Sequence, residues 1–208
     1  MTGLRFFEGL ILIGNELEQE IISLYANDLS SLYSINQIAS KLGKKYPYIN
    51  KKVTILIKNN IFRKTVIGRS YLCSLNLKND ETIYLLILHE IQMKKAKLER
   101  NPALQRVVDY VDKARKLINL QLVLMSRERI LFVLDKPEDK EQFEKAIVKQ
   151  AMNDYEPEIH TKESFLKELL ESKELHEKHI ILHGYEKYYD YIKDIEDELK
   201  LRYSKLIP

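Results

Sequence analysis

The sequence predicts an α+β protein in which two small domains are joined by a long helix, and three observations lead there. Between Ile35 and Leu77 nine residues are Lys or Arg and none is Asp or Glu, and within that stretch helical apolar spacing gives way to two short strand-like runs. From Asp80 to Arg100 one helical pattern runs unbroken, apolar in its first half and charged in its second. After Asn101 and Pro102, helices alternate with strands, which is the order of a small α/β unit. The expected segments are therefore 1–78, 79–100 and 101–208.

Charge partition says more than net charge. The chain carries 34 basic and 31 acidic residues for a formal +3, so outside the basic stretch 25 basic residues face 31 acidic ones. Clustered positive charge favours phosphate binding, because each neutralised phosphate releases condensed counterions. The 45% hydrophobic content is enough for real cores in 208 residues. A single cysteine, Cys73, excludes an internal disulfide framework and a cysteine-based zinc site, and its apolar strand context reads as packing. The apolar run Leu10 to Ile13 is far shorter than the roughly 20 residues that cross a bilayer, and no basic leader or small-residue cleavage site surrounds it. A soluble cytoplasmic protein is expected.

In the basic region, Leu17, Ile21, Ile22, Leu24 and Tyr25 give an amphipathic helix over Glu16–Ala26, with Asn15 as its cap. Ser34 suits the N-cap of a second helix, Ile35 to Leu42, whose Ile35, Ile38, Ala39 and Leu42 face inward; Gly43 then turns the chain. Pro47 belongs in the first turn of a third helix ending at Asn59, with Ile49, Val53, Leu56 and Ile57 on its buried face. Tyr48, Asn50, Lys51, Lys52 and Thr54 are left for the other face. Asn60 tolerates the left-handed conformation that a helix exit often needs. Two strands, Ile61–Val66 and Ser70–Leu75, follow, reversing through Ile67, Gly68 and Arg69.

Through Ile38-Ala39-Ser40-Lys41-Leu42-Gly43, the helix Pro47 to Asn59 and the run Asn60-Ile61-Phe62-Arg63-Lys64, this region resembles the winged helix-turn-helix of archaeal and bacterial transcription regulators. Asn60 stands where the family string has glycine. The resemblance covers about a third of the chain. It implies binding of double-stranded DNA, with the third helix in a major groove about 12 Å wide and Arg69 at the wing tip on backbone or minor groove. Lys44, Lys45, Lys51 and Lys52 are expected to hold phosphates, and Tyr48 and Asn50 to read base edges. A solvated lysine face, or a winged helix used for protein contacts, is the competing reading.

For the helix Asp80 to Arg100, Asp80 is the expected cap, and Ile83 to Leu88 is apolar nearly all round. Covering by a second subunit and covering within the chain both account for this. A homodimer suits a regulator, because two recognition helices about 34 Å apart match successive major grooves.

Beyond Asn101 the sequence predicts a helix with Leu104, Val107, Val108, Val111 and Ile118 inward, strands Leu120–Met125 and Ile130–Leu134, and a charged helix from about Pro137 to Met152. A strand near Glu158 to His160, a helix capped by Thr161, a strand at Ile180 to Leu182 and a terminal helix complete it. Ile159-His160-Thr161-Lys162-Glu163-Ser164-Phe165, then Leu169-Leu170 and Ile180-Ile181-Leu182-His183-Gly184, resemble the C-terminal half of the minimal nucleotidyltransferase fold. Enzymes of that family carry a Gly-Ser turn and an Asp-x-Asp pair for two magnesium ions. Here Met125-Ser126-Arg127-Glu128 stands at the turn, and Asp135 alone follows the next strand. One carboxylate does not build a two-metal site. The resemblance implies an inactive domain used for sensing or assembly, with an unidentified small-molecule effector as a candidate partner.

Other chemistry is sparse. His176, His179 and His183 have helical metal-site spacing, but Ile180 to Leu182 reads as strand and scatters them. Tyr185, Tyr188, Tyr189 and Tyr191 read as packing, and Glu138-Asp139 and Glu196-Asp197 as solvated pairs. No catalytic residue, metal site or cofactor is expected. The sequence reading is a DNA-binding regulator acting as a homodimer, with nucleotide transfer by the C-terminal domain or a protein scaffold as alternatives.

Overall fold

The computed structural model describes residues 16–68, 70–116, 118–136, 138–141, 143 and 154–203, and the fold is α+β. The chain divides into two units, Met1–His89 with Leu199–Pro208, and Glu90–Glu198.

Local rules account for most of the first unit. Helices α1 (Glu16–Ala26), α2 (Ile35–Leu42) and α3 (Tyr46–Lys58) precede the antiparallel hairpin β1 (Phe62–Ile67) and β2 (Ser70–Leu75). Ser34 and Gln37 form a reciprocal capping box at the start of α2, which satisfies two helix-end donors at once. Gly43 ends that helix at φ +61°, and Pro47 occupies the first turn of α3. Asn60 takes φ +60°, the left-handed exit expected of it, and Gly68 turns the hairpin at φ +59°. The hairpin runs in register from Phe62 opposite Leu75 to Ile67 opposite Ser70, so the first strand begins one residue later than its apolar run.

Ile21, Ile38, Ile49, Val53 and Leu56 are fully buried, and each buried branched side chain contributes about 1.5–3 kcal/mol. Tyr25 packs at 4.9 Å from the Phe62 ring and 5.1 Å from that of Tyr33, and its hydroxyl donates to the Cys73 carbonyl at 3.1 Å. Burial pushes the Cys73 thiol up to about 11, which makes it an inert packing group. Asn76 donates to the Asn60 carbonyl and Asn79 to the carbonyls of Asn59 and Asn60, so two side-chain amides fasten the exit of α3 to the segment after β2.

Helix α4 (Asp80–Arg100) runs on from there, and the division between the units falls within it, after His89. Its cap is Asn79 and not Asp80. The Asn79 Oδ1 accepts from the Glu81 and Thr82 amides at 2.7 and 3.4 Å, which makes Asp80 the first helical residue.

In the second unit, α5 (Pro102–Ala114) starts on the Asn101 cap and is followed by β3 (Leu120–Ser126), β4 (Arg129–Leu134) and β5 (Glu156–His160). Then come α6 (Lys162–Glu171), α7 (Lys173–Glu177), β6 (His179–His183), α8 (Tyr185–Asp194) and α9 (Glu196–Tyr203), of which residues from Leu199 on belong to the first unit. The sheet order is β5-β4-β3-β6: β3 is antiparallel to β4 and β6, and β4 is parallel to β5. Arg127 takes φ +56° in the tight β3–β4 turn. Leu104, Val107 and Val111 of α5 close over Val123, Ile130 and Phe132 of the sheet, all with little or no exposure.

The helix expected from Pro137 to Met152 lies mostly outside the described residues; within it, Phe143 is buried with its ring 5.0 Å from Phe132. The expected terminal helix is interrupted at Ile195. Glu196 is there only 5% exposed, which corrects the expectation that Glu196-Asp197 is a solvated pair. Thr161 caps α6 with Ser164 returning the bond. Gly184 holds φ +82°, and an added Cβ would lie 2.1 Å from the Gln121 carbonyl oxygen, so this junction of β6 with α8 accepts only glycine.

Candidate nucleic-acid interface

Helix α3 buries Ile49, Val53 and Leu56 along one line, and this fixes what its other side presents. At 3.6 residues per turn, Lys51 and Lys58 point almost directly away from that line, with Thr54 beside them. Tyr48 and Asn50 fall on opposite flanks of Lys51, roughly 160° apart around the axis. Tyr48 is 61% exposed and Asn50 half-buried. Lys45 lies exposed at the N-cap position, and the Thr54 hydroxyl donates back to the Asn50 carbonyl at 2.7 Å.

Two of the four lysines expected at phosphates are engaged inside the unit. Lys52 Nζ is 3.0 Å from Glu18 of α1, a carboxylate only 2% exposed, and Lys44 Nζ is 3.1 Å from Glu20. The stretch from Ile35 to Leu77 has no acid of its own, but folding brings α1 acids to it. Lys45 and Lys51 remain exposed, and Lys58 joins them on the outward face. Lys58 is a residue that sequence reasoning missed, although its position seven residues after Lys51 was signal enough. Arg69 lies outside the described residues. On β1, Lys64 is exposed, with its ammonium 4.2 Å from the centre of the Tyr71 ring.

In the second unit, the residues singled out for chemistry are committed elsewhere. Asp135 accepts from the Asn119 amide at 3.0 Å. A backbone carbonyl only accepts, so each of the three spaced histidines donates a ring N–H to one: His176 to Leu169, His179 to His176 at 3.0 Å, and His183 to Leu120 at 3.2 Å. Burial also depresses the His183 pKa. Tyr188, Tyr189 and Tyr191 are buried, as packing requires.

Among the described residues, Glu158, His160 and Glu168 bring potential metal ligands within 4.8 Å of one another. Arg129 enters that set. Its guanidinium donates to Glu158 through Nε at 2.5 Å and through Nη2, and Nη2 also reaches Glu168 at 2.5 Å. These hydrogen bonds hold the Glu158 carboxyl below the usual carboxylate range, against a smaller opposing effect of burial. The arginine supplies the positive charge that a cation would bring.

A second buried acid, Glu90 of α4, is 4% exposed, lies 3.6 Å from His179 Nε2 and accepts from the Tyr189 hydroxyl at 3.5 Å. Burial pushes its carboxyl up to about 7. Nothing in the sequence distinguishes Glu90 from the solvated acids of the same helix.

Comparison of the chain with family profiles, with curated proteins and with solved structures returns no match. Among the described residues, no helix is long and apolar enough to cross a membrane.

Proposed function

We propose that the chain is a sequence-specific double-stranded DNA-binding transcription regulator acting as a homodimer, with its first unit a winged helix-turn-helix. The observation that carries this reading is the outward face of α3. Lys51 and Lys58 stand at its centre with Tyr48 and Asn50 on the flanks, in a stretch from Ile35 to Leu77 that has nine cations and no acid. A helix of 13 residues followed by a hairpin has the size to enter a major groove while the hairpin lies along the backbone. Lys45, Lys51 and Lys58 neutralise phosphates, and Tyr48 and Asn50, on opposite flanks, contact different base steps. Lys44 and Lys52, the remaining expected phosphate ligands, act there only by exchanging Glu20 and Glu18 for phosphate.

The homodimer reading rests on α4. Tyr84, Leu88 and Ile91, at helical spacing on one face, are 55%, 37% and 45% exposed, while Ile83 and Leu86 on another face are buried. A second copy of this face covers three large apolar side chains that water otherwise meets. The second unit is proposed as a non-catalytic module, because Asp135 and the Glu158 and Glu168 carboxylates already have protein partners.

Fluorescence anisotropy tests the reading with a duplex from upstream of the protein's own coding sequence and an unrelated duplex, across a salt series. Wild type is expected to prefer the upstream duplex, with a log–log salt slope that falls by about 2 in Lys45→Ala/Lys51→Ala. Absence of binding at low salt by the folded wild type rejects the proposal.

A further inference from the structure

Val66 and Ile67 are 68% and 51% exposed at the free end of the β1–β2 hairpin, two branched apolar side chains where a turn ordinarily carries polar ones. Successive strand residues face opposite ways, so Val66 and Ile67 give the hairpin end an apolar surface on both sides. Their χ1 torsions are stiff, so fixing them costs little conformational freedom. Val66 lies opposite Tyr71 in the ladder and on the same strand face as Lys64, whose ammonium sits over the Tyr71 ring. A two-sided apolar edge thus projects from an exposed, acid-free cationic hairpin.

We propose that Val66 and Ile67 form a wedge that enters the minor groove of double-stranded DNA and inserts between base pairs, unstacking and bending the duplex. This rests on the DNA-binding reading above. An apolar protein surface would bury the same two side chains, but it would leave the exposed Lys64 ammonium without countercharge. A duplex supplies both halves of the complement, phosphates for the cations and base-pair faces for the apolar edge. Insertion concentrates at flexible pyrimidine–purine steps, where unstacking costs least. It adds a shape-dependent contribution to specificity, separate from the α3 contacts.

The full chain is titrated onto duplexes carrying 2-aminopurine at a single TA step, moved along the site, with a dye at each end for energy transfer. Wild type is expected to raise 2-aminopurine emission several-fold at one step and to bring the ends closer. Val66→Ser/Ile67→Ser, both changes being at exposed positions, is expected to keep the wild-type far-UV spectrum and steep salt dependence, to lose about tenfold in affinity and to lose both optical signals. Lys51→Ala, when driven to saturation, keeps both signals. Wild type that binds with unchanged emission and end-to-end distance overturns the wedge and leaves the DNA-binding reading standing. Wild type that binds no duplex at low salt overturns both.

Discussion

Lys51 and Lys52 are neighbours on α3 in the first unit, Arg129 heads β4 in the second, and the three cations have different fates. Lys51 stands in water. Lys52 reaches back to a Glu18 carboxylate that is only 2% exposed, and Arg129 is held between Glu158 and Glu168. The buried acids differ in the same way. Glu18 has a lysine at 3.0 Å, whereas Glu90 has His179 at 3.6 Å and the Tyr189 hydroxyl, and its carboxyl rises to about 7. A cation is available to an outside anion only where the fold has brought it no acid of its own. On that criterion the α3 face of the first unit is open and the Arg129 cluster of the second is closed.

The largest test separates the two adjacent lysines. Lys52→Ala leaves the Glu18 carboxylate buried without its lysine and is expected to cost about 3–5 kcal/mol, while Lys51→Ala stays within about 0.5 kcal/mol. Urea unfolding of both variants measures the difference, and equal stabilities would remove the distinction. It also makes Lys51→Ala, and not Lys52→Ala, the clean probe of DNA affinity.

Glu90 sharpens the comparison of buried acids. Because burial raises its folded-state pKa, its stabilising contribution is full below the ordinary carboxylate range and is lost as pH rises through about 7. Between pH 5 and pH 8.5, wild type is expected to lose roughly 2–4 kcal/mol that Glu90→Gln retains. Thermal midpoints across that range report it, and parallel curves for the two proteins would show that Glu90 is not the group responsible.

A smaller effect is expected at Arg129. Arg129 and Glu158 are about one-third exposed and Glu168 about one-fifth, so Arg129→Ala should cost about 1–3 kcal/mol at neutral pH. Glu158 is depressed by this arginine, so the stability it brings is present above the ordinary carboxylate range and lost as pH falls through its lowered pKa. The gap between variant and wild type should therefore narrow in acid. DNA affinity should be unchanged, and a loss of affinity in folded Arg129→Ala would place the second unit in the interface.

Wherever one local rule decides, the sequence was legible. Ser34, Gly43, Pro47, Asn60, Asn101 and Thr161 stand at the helix ends and turns their chemistry favours, and the strands fall within a residue or two of their apolar runs. Even the cap of α4 missed by one residue only because Asn79 and Asp80 are both good caps; the choice depended on Asn79 also fastening the α3 exit. The candidate site was read less well. Lys51, Tyr48 and Lys45 stand exposed where spacing placed them, but the engagement of Lys44 and Lys52 depends on acids 24 and 34 residues away in sequence.

The sequence by itself determined the order of elements, the cap and turn residues, the apolar faces and the concentration of cations between Ile35 and Leu77, because periodicity and backbone preference act over a few residues. Tertiary structure decided which cations keep their charge available, which acids are buried, and that Val66 and Ile67 remain in water. These depend on partners distant in sequence, and burial with pairing acts through space and not along the chain.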